Sequence, residues 1–180
     1  MASIFLSPSV QEFNPYISGG NEEQYMNLIA DAMVPYLEAS GIYVARNNPD
    51  EPLSAAIAAS NAGVYDLHLA LHSNAAPESL SGQLRGPDVY YYRDSSRSRA
   101  AAEIFANNLK QIYPNPELVT AVPTTTLAEL RRTAAPAVLV EVAYHDNVDD
   151  ANWITSNIDR IAENLALSTA DYLGVPFVES

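Results

Sequence analysis

The chain has 180 residues, 48% hydrophobic and 17% charged, with 22 Asp+Glu against nine Lys+Arg, a net charge of −13 and no cysteine. That length builds one core and is short for two, and the composition is that of an ordinary globule, not a disordered or fibrous chain. The acidic balance argues against nucleic acid as a partner, no apolar run approaches the ~20 residues of a membrane span, and disulfides and thiolate metal sites are excluded.

In chain order, Ser3–Leu6 (SIFL) predicts a buried first strand, stopped by Ser7-Pro8-Ser9. Val10–Gly20, with Asn14-Pro15 and Gly19-Gly20, predicts the loop at that strand's end. Asn21 is placed to cap a helix and Gln24 to complete a capping box. Met26, Ile29, Ala30, Met33 and Leu37 then recur at the spacing of a helix packed on a sheet. Pro35 is expected to kink that helix and Gly41 to end it. Ile42–Arg46 predicts a second strand, and Leu53–Ala62 an Ala-rich helix.

Asp66–Pro77 (DLHLALHSNAAP) alternates, with Leu67, Leu69 and Leu71 on one side and His68, Ala70 and His72 on the other. A period of two closed by Ser73, Asn74 and Pro77 predicts a strand running into a loop, the end at which α/β sheets place their ligands. His68 and His72 lie about 13 Å apart at ~3.3 Å per residue, too far to share one metal ion, and His72 is nearer the loop. A core histidine satisfied by one hydrogen bond is the competing reading.

Beyond the Gly/Ser loop Glu78–Gly86, Asp88–Tyr92 predicts a strand, and Ser95 caps a helix with Ala102, Phe105, Ala106, Leu109 and Ile112 on its apolar face. Leu118–Val122 predicts a short strand and Thr126–Arg132 a short helix. Ala137–Val142 (AVLVEV) has the pattern of a central strand. Ser156–Asp159 reads as the capping box of a last helix stopped by Gly174 and Pro176. Strands alternating with helices, without repeat or linker, predict one α/β domain over 1–180.

Glu141 is the one acid in an apolar strand, and burying it is costly unless it is paired, metal-bound or protonated. An ion pair with Arg131 or Arg132 is the structural alternative. Glu22 and Glu23 stand in a first helical turn, where the helix dipole favours acids whatever else they do.

The order and context of these residues resemble the zinc-dependent N-acetylmuramoyl-L-alanine amidases of the type-3 kind, which cut bacterial peptidoglycan. Glu23, Asn27 and Leu28 match the family's metal-binding glutamate followed by Asn and an apolar residue, which selects Glu23 over Glu22. Asn61-Ala62, Asp66-Leu67 and His72-Ser73-Asn74-Ala75 follow the family's central strand. Gly86-Pro87-Asp88-Val89-Tyr90-Tyr91 follows its next strand, and Pro136, Ala137, Leu139, Glu141, Tyr144, Asn147 and Asp150 match its catalytic signature.

The resemblance implies a three-layer α/β domain, a central twisted mixed sheet of about six strands with helices on both faces. It makes Glu141 the catalytic glutamate and His72 and Glu23 ligands of Zn2+, with Asn74 a substrate contact. Two departures stand out. Where the family carries a zinc-binding histidine after its first strand, this chain reads Ser7-Pro8-Ser9-Val10-Gln11, and the family's arginine before the Asn-Ala pair falls on Ala56. Gln11, through its amide oxygen, is the nearest stand-in, with His145 in reserve as a donor or substrate contact. A neutral amide is a poor zinc donor, so weaker metal binding is expected.

The expected activity is hydrolysis of the amide between N-acetylmuramic acid and the L-alanine of the stem peptide. The alternatives are a catalytically inactive module that binds peptidoglycan or muropeptides, and a metal-dependent amidase with another peptide-like substrate. Met1–Ser9 has neither a basic n-region nor an apolar h-region, so no signal peptide is expected. A cytoplasmic protein, or one released to the wall by lysis or a non-classical route, is the corresponding expectation.

Overall fold

The structure, a computed structural model, describes residues 1–179. Six strands form one sheet in the order β2-β1-β3-β6-β4-β5. They are β1 (Ser3–Pro8), β2 (Tyr43–Arg46), β3 (Leu67–Asn74), β4 (Asp88–Tyr92), β5 (Thr120–Thr124) and β6 (Ala137–Tyr144). β1, β2, β3 and β6 run parallel, β4 is antiparallel to β6, and β5 is parallel to β4. The sheet is therefore mixed, as expected.

Six α-helices stand among the described residues: α1 (Glu22–Ala39), α2 (Leu53–Ala62), α3 (Ser96–Leu109), α4 (Ala128–Arg132), α5 (Val148–Ser156) and α6 (Ile158–Leu173). Ile4 and Leu6 of β1, the leucines of β3, Val89 and Tyr91 of β4, and Val138, Val140 and Val142 of β6 bury one face of the sheet under α1, α3 and α6. The opposite face holds only a small apolar cluster: Ala70, Ala137 and Leu139 under Leu130 of α4. Phe5 of β1 and Tyr90 and Tyr92 of β4 add aromatic rings to this face, and the positions nearest the carboxyl ends of β1, β3 and β6 are polar. The period-two alternation puts His68, His72, Ser7 and Glu141 there, opposite the main core.

Local signals fixed most ends. Asn21 accepts from the Gln24 N–H and Ser95 from the Ser98 N–H, as caps should. Gly41, with φ +75°, follows the C-cap Ser40. Helix α1 continues through Pro35 to Ala39. The C-terminal region differs from expectation. Ser156 is the last residue of α5, not the cap of the final helix, which starts at Ile158 after Asn157. Helix α5 itself is opened by Asn147, whose side chain accepts from the Asp150 N–H. The S-x-x-D spacing at Ser156 is therefore coincidental, because a real cap two turns earlier had already started a helix. β5 lies two residues later than Leu118–Val122, displaced by a turn over Pro116–Leu118.

β1 leads outward to β2, whereas β3 leads to the other half of the sheet. The carboxyl ends of β1 and β3 thus flank the reversal in strand order, where open α/β sheets form their crevice.

Candidate active site

His72 occupies this crevice. It lies beside Glu141 in the parallel β3–β6 register, so both side chains leave the same face of neighbouring strands ~4.8 Å apart. The register breaks between His72 and Asn74, at the mouth of the crevice.

Two carboxylates bracket the His72 ring. Glu22 Oε1 lies 2.9 Å from Nδ1, and Glu129 Oε2 lies 3.3 Å from Nε2. Glu22 is buried and further held by the Asn14 amide at 2.7 Å on Oε2 and the Ser73 N–H at 3.3 Å on Oε1. Glu129 accepts the Ser7 hydroxyl at 2.5 Å and faces His68 Nε2 at 2.9 Å, both through Oε1. His68 Nδ1 in turn meets the Ser60 hydroxyl at 2.9 Å, and its ring stacks on Phe5. The two histidines of β3, too far apart to share an ion, thus share one carboxylate on α4.

An ionised carboxylate only accepts, and a neutral imidazole carries a single N–H. His72 can satisfy one of its two neighbours when neutral; the other edge requires a further proton or another cation. Burial by itself lowers the His72 pKa, but hydrogen bonds to Glu129 and Glu22 outweigh it and hold it well above the ordinary 6.5. Burial raises the Glu22 and Glu129 carboxyls, and their histidine partners override this, leaving both below the usual range.

Glu141 is the reverse case. Its Oε2 is buried with no hydrogen-bond partner. Burial pushes its pKa up to about 7; the His72 charge works against that, while Glu22 and Asp88 add to it. Among the described residues no ion pair involves Glu141, so the pairing with Arg131 or Arg132 is absent. Both arginines are exposed. A carboxyl poised near neutrality and aimed into a cleft is equipped for proton transfer.

The other candidates fall around this centre. Glu23 does not meet His72; Glu22 takes that place. Glu23 is half-buried, accepts from the Asn27 amide at 3.2 Å, and lines an outer groove of about 690 Å³ with Gln11, Phe13 and Leu53. Gln11 also lines a 140 Å³ cavity with His72, Glu129 and Glu141, although its Oε1 already accepts from Asn14 at 2.8 Å. Asn74 sits at the crevice mouth, its Oδ1 accepting the Ala75 N–H. His145 is buried behind the site, with Nδ1 on the Ser73 hydroxyl at 2.9 Å and its ring against Tyr16. It ties the ends of β3 and β6 to the loop after β1 and lines neither cavity at His72.

Glu129 carries almost no local signal. It stands in a five-residue helix, too short for a periodic signal, and only its place between Leu127 and Leu130, which face the sheet, marks it.

Among the described residues, no group of three or more His, Cys, Asp or Glu side chains is arranged to hold a metal ion. Two donors of the zinc type meet at a time on His72, one fewer than the three protein ligands of a catalytic zinc. An imidazole nitrogen stands beside a carboxylate oxygen on either edge of His72, the ligand types zinc takes, and the unpartnered Glu141 oxygen lies next to them.

The family model described as N-acetylmuramoyl-L-alanine amidase matches residues 13–170. Among solved structures, the amidase AmiC2 of Nostoc punctiforme superposes with a TM-score of 0.84 at 19% identity, over 96% of this chain and 97% of that one. The CwlD amidase of Clostridioides difficile, solved in complex with the GerS lipoprotein, gives 0.85 at 15% identity over 97% and 99%. The catalytic domain of the CD27L endolysin, which targets the same species, gives 0.78 at 22% over 95% and 98%. A search of curated proteins returned no match.

Proposed function

Since this chain belongs to the N-acetylmuramoyl-L-alanine amidase family, a family of peptidoglycan hydrolases, we infer that Glu141 is the general base of its reaction and that His72 helps hold a zinc ion beside it. The observation that carries this reading is the buried, unpartnered Oε2 of Glu141 next to His72 in register, with a pKa near 7. A bound zinc supplies Lewis-acid polarisation of the scissile carbonyl and a more acidic water.

The chain's own residues do the rest. Glu141, deprotonated, takes a proton from the attacking water and returns one to the departing L-alanine nitrogen. Glu22 and Glu129 fix the His72 ring and neutralise its charge when it is protonated. The outer groove, with Phe13 73% exposed beside Gln11 and Glu23, gives the glycan or stem peptide an approach to this cleft. No helix among the described residues is long and apolar enough to cross a membrane.

Digestion of purified sacculi tests the reading, with mass spectrometry of the soluble products. Free stem peptides with L-alanine amino termini are expected, abolished by chelator and restored by zinc. New reducing sugar ends would point to glycosidase chemistry instead. Tight sedimentation with sacculi but no release would leave a binding module.

A further inference from the structure

Resting on the amidase reading above, we propose that the outer groove seats the stem peptide. Its carboxylates select peptides whose third residue, a diamino acid, keeps its side-chain amine free.

The groove lies between the loop after β1 and the loop joining β2 to α2, and its 690 Å³ is the size of a ligand site. Two smaller cavities, of about 40 and 140 Å³, adjoin His72, and the larger reaches Glu141. Gln11 and Leu53 line all three hollows, so the groove opens directly onto the cleft where the amide is cut.

Its chemistry is one-sided. Glu12, Glu23, Asp50 and Glu51 line it, and among the described residues no Lys, Arg or His does. Glu12, Asp50 and Glu51 are exposed and enter no ion pair among the described residues. Arg46, at the end of β2, turns instead to Asp31 and Asn27. Carboxylates that lack a cation of their own concentrate a positive ligand. Phe13 stands 73% exposed among them, with Pro52 and Leu53 nearby. An aliphatic side chain can lie on that apolar surface while its charged head reaches the rim.

The inner end also calls for a donor. Asn47 is 7% exposed, its amide nitrogen donates to the Pro8 carbonyl at 3.1 Å, and its Oδ1 is without a partner. Asn47 lines the 40 Å³ cavity that Gln11 and Leu53 share with the groove. A buried acceptor left unmet is costly, and a peptide N–H entering that cavity satisfies it.

The substrate has one group that answers the rim. With its sugars N-acetylated, peptidoglycan carries neutral amides, hydroxyls and carboxylates, and its one cation is the ammonium of the diamino acid. Cross-linking turns that ammonium into an amide. At ~3.3–3.6 Å per residue the third residue lies roughly 10 Å from the scissile bond, so its ammonium stands outside the inner cavities. A neutral glycan gains nothing from four carboxylates.

The experiment uses two soluble ligands, N-acetylmuramoyl-L-alanyl-D-isoglutaminyl-L-lysine and the same molecule with its side-chain amine acetylated. Affinities are measured by calorimetry in chelator, where nothing turns over, and hydrolysis is followed separately with zinc. The free amine should bind about fivefold or more tighter at low salt, the scale of a few exposed ion pairs. The difference should vanish near 1 M salt, where the Debye length is ~3 Å. The double variant Asp50→Asn, Glu51→Gln, altered only at exposed positions, should lose most of the preference. Equal affinities in wild type, no measurable binding of either ligand, or a preference that survives in the folded double variant overturns the proposal. Cleavage of both ligands with equal affinity overturns it and leaves the amidase reading standing. Selective binding without cleavage of either supports the groove and overturns the amidase reading.

Discussion

Replacing Glu141 by glutamine separates a proton-transfer role from a structural one, because the two predict opposite changes in stability. A carboxyl whose pKa rises from 4.5 to about 7 on folding binds its proton more tightly in the native state. The stability this contributes is fully present below pH 4.5 and is lost as pH rises through about 7. Full burial would make the difference about 3 kcal/mol. Glu141 is half-buried, and solvent screening reduces the figure to about 1–3 kcal/mol. Glu141→Gln keeps the shape and the neutral form at every pH. The variant should therefore melt higher than wild type at pH 8, by ~2–10 °C for a chain of this size, and alongside it at pH 4. Its rate of stem-peptide release should fall by roughly 10²–10⁴. Melts are run in chelator, so that a bound cation adds nothing to either curve. A variant that melts well below wild type at pH 8 while still cleaving sacculi would refute the reasoning, showing that Glu141 stabilises the fold through a bond it makes as an anion.

Three other outcomes follow from the same geometry. Wild-type hydrolysis should rise with pH as Glu141 loses its proton, with a midpoint at or below about 7 because a zinc ion beside the carboxyl favours its anion; a rise of the same shape in the residual activity of Glu141→Gln removes Glu141 as its source. Gln11→His places an imidazole in the cavity lined by His72 and Glu129, so chelator titration should show tighter zinc binding; unchanged affinity excludes position 11 from the ion's surroundings. Asp150 is fully buried and accepts the Gly86 N–H at 2.8 Å, the Tyr144 N–H at 3.0 Å and the Tyr113 hydroxyl at 2.5 Å. Asp150→Ala should cost about 3 kcal/mol or more through these orphaned donors, measured by urea denaturation, and a loss below about 1 kcal/mol contradicts that role.

Local sequence determined the elements whose signals are local. Asn21 and Ser95 announced α1 and α3 by side-chain caps, Leu53–Ala62 and Asp88–Tyr92 were placed to the residue, and the alternation in β3 put His68 and His72 on the face away from the leucines. Glu141 stood out because one charge in an apolar strand needs a reason. The choice between Glu22 and Glu23 was different: adjacent helical residues point about 100° apart, and spacing to Asn27 favours the one that the packing of α1 against β3 turns outward. Helix α5 was hidden because Asn147 resembles a loop residue until Asp150 is seen buried under it. Glu129 lay beyond any local reading, since five helical residues carry no periodicity. Only the docking of α4 on β6 and β4 lets its carboxylate reach across between two histidines of β3, and that long-range contact decides what kind of site this chain has.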